Sequence, residues 1–292
     1  MFFAVLFFTQ SVFAEQGRIV VAKSGGDFVT INEALAQGSS CSNPTVIDVM
    51  PGVYNETLFL TGNNACTHLR GAGSGLTTIQ GTGSAPVIKV GIQCAGCGTP
   101  GTILVSGVTI KGAGSEGGIS AAYTSMTVAD SRITNNSTGV SINYGTLTVK
   151  GSKIDNNSTG AYQGYGTLRL ESNIIENNSS TGIYGALYVV DNLIMKNGKG
   201  VTVRSQPNAN HEANISGNTI TNNDYDGMYL QSYGTIVIKN NKITGNGVVS
   251  GRDITCVWRS NDDTTLAFNT FDTIQAANCT LAYNIKSDGT PF

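Results

Sequence analysis

A tandem repeat constrains this chain more than any other feature. Three segments align at their turn: Ser131-Arg-Ile-Thr-Asn-Asn136-Ser-Thr-Gly139, Ser152-Lys-Ile-Asp-Asn-Asn157-Ser-Thr-Gly160 and Asn173-Ile-Ile-Glu-Asn-Asn178-Ser-Ser-Thr-Gly182. The second Asn of each pair moves from 136 to 157 to 178, two steps of 21. Weaker copies follow at Asn197-Gly198, Asn222-Asn223 and Asn246-Gly247. A second marker keeps step at Tyr144-Gly145, Tyr165-Gly166, Tyr184-Gly185 and Tyr233-Gly234. Between the markers lie short alternating stretches such as Leu147-Thr148-Val149, Leu168-Arg169-Leu170 and Ile236-Val237-Ile238, with strand periodicity and too little length for helices. One such unit cannot bury its apolar face alone, whereas stacked units can, which is the logic of a solenoid. Asn and Gly suit the corners because both tolerate left-handed backbone angles, and stacked Asn side chains can hydrogen-bond along the axis. The expectation is an all-β, single-stranded parallel β-helix with coils of about 21–23 residues.

A solenoid end exposes core and unpaired strand edges, so it needs a cap. Residues 28–37, Phe28-Val-Thr-Ile-Asn-Glu-Ala-Leu-Ala-Gln37, have the apolar spacing of one short amphipathic helix and directly follow the strand-like Ile19-Val20-Val21-Ala22. Residues 15–45 are therefore read as cap and first strand, and 15–292 as one β-helix domain. Met1 to Ala14 reads as a secretory signal: an apolar run over Phe2–Phe8, then Val12-Phe13-Ala14 with a small final residue. That run is too short to cross a bilayer, and no later segment is long enough, so export without membrane insertion is expected, to the periplasm or beyond.

The six cysteines agree with export. Cys41 and Cys66 are 25 positions apart and Cys256 and Cys279 are 23 apart, each near one coil, while Cys94 and Cys97 sit in a Gly-rich turn. Residues one coil apart in a parallel sheet lie about 4.8 Å from each other, within reach of a disulfide. Three local bridges are expected. A metal site built on Cys94-x-x-Cys97 would lack its second ligand pair. The chain is 40% hydrophobic, with a net charge of −2 and only 12% charged residues, the balance of a folded protein with a polar, weakly charged surface rather than of a disordered chain. No Lys/Arg cluster supplies the patch that nucleic-acid binding requires.

Ile19-Val-Val-Ala-Lys-Ser-Gly-Gly-Asp-Phe-Val-Thr-Ile-Asn-Glu-Ala-Leu35, Pro51-Gly-Val-Tyr-Asn-Glu-Thr57 and Leu69-Arg-Gly-Ala-Gly-Ser-Gly-Leu-Thr-Thr-Ile79 resemble the opening of pectin methylesterases. The Asn-rich coils are similar to repeats of polysaccharide lyases, alginate epimerases and NosD-type periplasmic proteins. The resemblance implies the pectin-lyase-like superfamily and its right-handed parallel β-helix. The Gln-Asp and Val-Asp-Phe motifs of the esterases are missing, as are the Asn-Thr-Asp and Gly-His-Gly motifs of polygalacturonases and the Asp-Pro-His motif of alginate epimerases. One fold hosts many chemistries, and of these only the lyase branch is left open by motif.

Lyase cleavage of an acidic sugar needs a base and a cation that stabilises the developing charge. Asp191, Lys196, Lys199, Arg204 and His211 fall in one coil, with Asp224 and Asp226 in the next. On this reading Lys199 or Lys196 is the base, Arg204 the charge stabiliser, Asp224 with Asp226 a Ca²⁺ pair, and His211 a substrate ligand beside the loop Gln206-Pro-Asn-Ala-Asn-His211. The competing reading is a solvated corner in which Lys199 pairs with Asp226. Trp258, among Arg252, Asp253, Arg259, Asp262 and Asp263, could stack a sugar ring, with Asp253 binding its hydroxyls, or could pack over the end of the helix. His68 lacks recognisable partners and reads as structural. The Tyr-Gly markers read as a stacked ladder, either part of the scaffold or, if it faces outward, a surface that binds glycan. The sequence thus points to an exported monomer that binds or processes an acidic polysaccharide, as a Ca²⁺-assisted lyase or as a non-catalytic binding or scaffold protein.

Overall fold

A computed structural model describes residues 17–39, 41, 44–64, 66–91, 102–112, 117–186, 188–204, 213–231, 236–257, 264–275 and 279–292. The expected signal segment, the Cys94–Cys97 bridge, His211 and Trp258 lie outside these residues. The chain winds as a parallel β-helix with three faces, and partner residues in successive coils stay in register. Strands Leu58–Leu60, Ile88–Gly91, Thr159–Gln163, Thr181–Tyr184, Lys199–Arg204, Met228–Gln231, Ile254–Cys256 and Ile274–Gln275 build the first face. Strands Ile119–Ala129 and Thr138–Lys150 run around the corner into the second face, which joins the two into one 20-stranded sheet. The third face is a separate ten-stranded sheet, from Gly52–Asn55 to Thr270–Phe271.

The alternation seen in sequence puts one side of every strand into the lumen. On the third face the inward column is Ile79, Ile110, Ile133, Ile154, Ile175, Ile194, Ile220 and Ile243, each with no exposure, closed by Tyr54 below and Phe271 above. Burying such side chains stabilises by about 1.5–3 kcal/mol each relative to leaving them in water.

Two columns of hydrogen bonds flank that face. In the first, the Oδ1 of Asn157 accepts from both the backbone N–H and Nδ2 of Asn136, each at 3.0 Å. The pattern repeats through Asn178, Asn197, Asn223 and Asn246. The second column starts with the serines Ser131 and Ser152 and continues through Asn173, Asn192, Asn218, Asn241, Asn269 and Asn284. Each inner Asn also donates Nδ2 to backbone carbonyls, as Asn178 does to Ile154 and Glu176. These amides thereby satisfy the corner backbone that no strand pairs. The residue before the first column is left-handed: Asn135, Asn156, Asn177 and Asn222, with φ of 54–56°, and Lys196 at 54°.

The cap helix is shorter than the expected residues 28–37, spanning Ile31–Leu35. Thr30 starts it with a capping box to Glu33, while Phe28 is held in a parallel bridge with Val21 and so stays extended. Buried Glu56 accepts from the backbone N–H of Ile31 and of Asn32, both at 2.9 Å, fastening the helix to the coil above. Cys41–Cys66 and Cys256–Cys279 are bonded, with Cα separations of 5.1 and 6.2 Å. Their geometry departs from the expected stacking in one column. Cys256 follows Leu230 on the first face, whereas Cys279 follows Thr264 on the second, so the bridge joins two faces. Among the described residues no helix is long and apolar enough to cross a membrane.

Two measurements check these assignments. Asn178→Ala orphans several buried donors and acceptors at once, each costing about 1–3 kcal/mol, so urea unfolding should show a loss of about 3 kcal/mol. Asn177→Gly, at an exposed left-handed position, should stay within about 1 kcal/mol of the parent. The second concerns Asp48, which is buried on the second face between Arg70, whose Nε donates at 2.6 Å, and Arg18. The hydrogen bond from Arg70 is the main force holding this carboxyl below the ordinary value of 3.8, with burial opposing it and Arg18 assisting. A depressed folded-state value means that the contribution is fully present above pH 3.8 and is lost as pH falls through the lower folded value. Thermal unfolding of the parent should therefore lose this increment in acid, and Asp48→Asn should lack it; coincident acid limbs would refute the assignment.

Candidate functional site

The outward surface of the first face differs from the rest of the molecule in charge. Its described strands carry Lys89, Lys199 and Arg204 and no Asp or Glu, although the whole chain is net negative. The second and third faces mix signs, as in the cluster of Arg132, Lys153, Asp155 and Glu176, where Arg132 grips Asp155 with two nitrogens. One outward column of the first face reads Ser120, Ser141, Tyr162, Tyr184, Thr202, Tyr229, Thr255 and Gln275.

Both strand cations on this part of the face engage tyrosines. Arg204 Nη1 donates to the Tyr184 hydroxyl at 2.8 Å, and this bond raises the guanidinium's already high pKa, keeping it a permanent cation. Lys199 Nζ lies 4.4 Å from the centre of the Tyr229 ring. Tyr184 itself stacks on Tyr162, with centroids 5.5 Å apart. At the corner leading to the second face Tyr123, Tyr144 and Tyr165 form a second stack, at 4.7 and 5.1 Å and within 12° of parallel. Tyr123 and Tyr144 hold φ of 52° and 61°, a conformation that bulky side chains rarely adopt.

The expected tyrosine ladder is thus two ladders. Tyr144 and Tyr165 share one, and Tyr184 belongs to the other. The additional serine in Asn178-Ser-Ser-Thr-Gly182 sets the step from Tyr162 to Tyr184 at 22. That shift was the available signal for Tyr162. Tyr123 and Tyr229 lack the following Gly and escaped the marker.

The structure separates the expected catalytic residues. Lys199 and Arg204 are the two ends of a six-residue strand, which at about 3.3 Å per residue places their backbones roughly 16 Å apart. A base and a charge stabiliser acting on one sugar need contact with the same few atoms. Lys196 is exposed at a left-handed corner. Lys199 does lie beside Asp226 in backbone register, but its ammonium sits over the Tyr229 ring. The Asp226 carboxylate accepts from the Arg252 N–H at 3.2 Å and the Thr255 hydroxyl at 2.6 Å. Asp224 is exposed, and its carbonyl accepts from Val249 and Ser250. Among the described residues no three of His, Cys, Asp and Glu gather at one point, so Asp224 and Asp226 have no third acidic side chain beside them.

Asp253, expected to bind substrate, is instead buried at the end of the first asparagine column. Its Oδ1 accepts from Asn246 N–H and Nδ2, and its Oδ2 from the N–H groups of Asp272 and Thr273. A carboxylate ends that column because it offers acceptors on both sides and requires no further Asn above it. His68 stands on the second face between Val46 and Leu104.

Residues 90–271, more than half of the chain, match the family model described as the right handed beta helix region, and the chain belongs to that family. Solved structures agree on the fold. The A-module of mannuronan C-5 epimerase AlgE4 from Azotobacter vinelandii superposes with a TM-score of 0.60 at 17% identity, covering 90% of this chain and 73% of that one. The catalytic unit of a GH87 α-1,3-glucanase from Streptomyces thermodiastaticus gives 0.52 at 17% identity, with 96% and 70% covered. ORF18 of Geobacillus virus E2 gives 0.53 at 16% identity, with 92% and 60% covered. A comparison with curated protein sequences gives no match.

If the corner tyrosines serve the surface rather than the fold, Tyr144 should be dispensable for stability. Tyr144→Gly relieves a left-handed backbone cost of about 1–2 kcal/mol and removes two ring contacts worth about 0.5–1.5 kcal/mol each. Thermal unfolding should therefore change little, and a large loss would assign the stack to the scaffold.

Proposed function

We propose that the protein is an exported β-helix that binds an acidic polysaccharide along its first face without cleaving it. The observation that carries this reading is the charge of that face: its described strands carry Lys89, Lys199 and Arg204 among tyrosines, and the Asp226 carboxylate at its edge is already engaged by the Thr255 hydroxyl and the Arg252 N–H. A surface with an excess of cations raises the local concentration of an oppositely charged chain and selects for it. Tyrosines add edges and hydroxyls suited to sugar rings. The described strands of this face also hold no carboxylate pair of the kind used in glycoside hydrolysis, and the backbones of Lys199 and Arg204 stand about 16 Å apart. The epimerase and the glucanase named above act on polysaccharides, which supports a glycan partner. Two disulfides fit an oxidising, extracytoplasmic compartment.

Calorimetric titration of the mature protein with oligogalacturonate, oligoalginate, heparin fragments and a neutral β-glucan tests the reading. At least one anionic glycan should bind, the neutral one should not, and raising salt should weaken the complex. Lys199→Ala and Arg204→Ala should each weaken binding several-fold with unfolding midpoints unchanged. Ultraviolet absorbance of the same mixtures, with and without Ca²⁺, should stay flat. Equal affinity for the neutral glycan would sink the charge argument, and rising absorbance from unsaturated ends would restore the lyase.

A further inference from the structure

The two tyrosine stacks end differently, and one end forms a ledge. Within a stack each ring covers its neighbour's face, so only edges and hydroxyls meet solvent. Tyr165 is the top ring of the corner stack, and the coil above it takes a shorter path. Register pairs Tyr162 with Tyr184 and Arg169 with Tyr188. Seven steps of chain in the lower coil therefore face four in the upper. Gly185 sits over Gln163, and the coil above has no counterpart for Gly164, Tyr165 and Gly166. Among the described residues no ring covers the upper face of Tyr165, which is 53% exposed.

This projection is held in place. The Gly164 N–H donates to Ile142 O at 2.9 Å, and the Leu168 N–H donates to Gln163 Oε1 at 3.0 Å. The glycine after Tyr165 cannot carry a side chain: at φ of 114° a Cβ on Gly166 would lie 2.8 Å from Gly145 O, while one on Gly164 would displace the Asn143 side chain. Below, Tyr144 supports the ring at 5.1 Å. One coil higher on the adjoining rim, Tyr184 carries the guanidinium of Arg204 on its hydroxyl. Arg204 belongs to the coil above that and reaches back down to this hydroxyl, so a cation stands between one and two strand spacings, about 5–10 Å, above the level of the ledge, on the side toward which a sugar ring lying on Tyr165 would present its substituents.

We propose that the upper face of Tyr165 is the floor of a monosaccharide subsite that takes a uronic-acid unit, its pyranose ring stacked on the tyrosine and its carboxylate turned toward Arg204. The subsite rests on the acidic-polysaccharide reading and adds to it a position and a charge requirement. A ring prefixed by its own backbone loses little entropy on binding, which favours one defined unit over diffuse electrostatic adhesion.

The test is titration of oligogalacturonate and oligoalginate against the full mature chain and three variants. Tyr165→Ala and Tyr165→Leu, the second keeping apolar bulk without a flat face, should each weaken binding about ten-fold. Tyr165→Trp should retain or tighten it. All three should unfold at the parent temperature, because no described side chain packs on that face. Reduction of the uronate carboxyls to alcohols should abolish the difference between parent and Arg204→Ala. If Tyr165→Ala and Tyr165→Leu bind as the parent does while Arg204→Ala is weakened, the ledge is wrong and the cationic face stands. If the parent binds no anionic glycan, both fall. A loss in Tyr165→Leu together with retention in Tyr165→Trp would hold even if Tyr165→Ala proved unstable.

Discussion

The register of this solenoid is fixed by the paired asparagine columns. A parallel strand pair can slip along its neighbour unless something outside the ladder opposes it, and each buried Asn opposes it with several bonds that all require one alignment. The two columns bracket the third face at a constant separation: Ser131 to Asn136, Ser152 to Asn157, Asn173 to Asn178, Asn192 to Asn197, Asn218 to Asn223 and Asn241 to Asn246 are each five steps apart. Between them runs the isoleucine column. The third face is therefore the spine of the molecule, a short segment in which every position is assigned to lumen, amide column or left-handed corner.

Because the spine is constant, all variation in coil length falls on the rest of the turn. Both columns step by 21, then 19, 26 and 23. The step of 19 combines one added serine before the first face with three residues removed beyond Tyr184. The corner between the first and second faces absorbs most such changes, and it is where the two tyrosine stacks meet. A rigid spine with one permissive corner allows local insertion or deletion to shape a surface without disturbing the core, in keeping with the general placement of function on loops held by a scaffold.

The fold was legible because its period was written in residues that must recur. The Asn-Asn pairs carry both a left-handed corner and a buried amide, so they repeat almost unchanged. The second column was harder to read. It begins as serine hydroxyls at 131 and 152, and its later asparagines stand alone at steps of 26, 23, 28 and 15, which look irregular until the insertions are placed. The disulfide partners were legible from coil spacing, although the Cys256–Cys279 bridge joins two faces rather than two stacked positions. The charged cluster around Lys199 was conspicuous in a charge-poor sequence, but strand geometry spreads it. Proximity along an extended strand is not proximity in space, and Asp253 shows the converse, a carboxylate whose neighbours in sequence gave no sign that it ends a buried column.

The esterase-like opening illustrates why resemblance travels with scaffold here. Tyr54 of Pro51-Gly-Val-Tyr-Asn-Glu-Thr57 closes the bottom of the isoleucine column and donates its hydroxyl to Met50 O at 3.1 Å. Glu56 fastens the cap helix through two backbone N–H groups. Both residues are engaged in sealing the first coil, a task every β-helix end imposes whatever its surface does. A motif with that role serves the end of the solenoid, and it carries no information about the first face. The surface must be read from what its own strands present, and those strands present cations beside tyrosine rings.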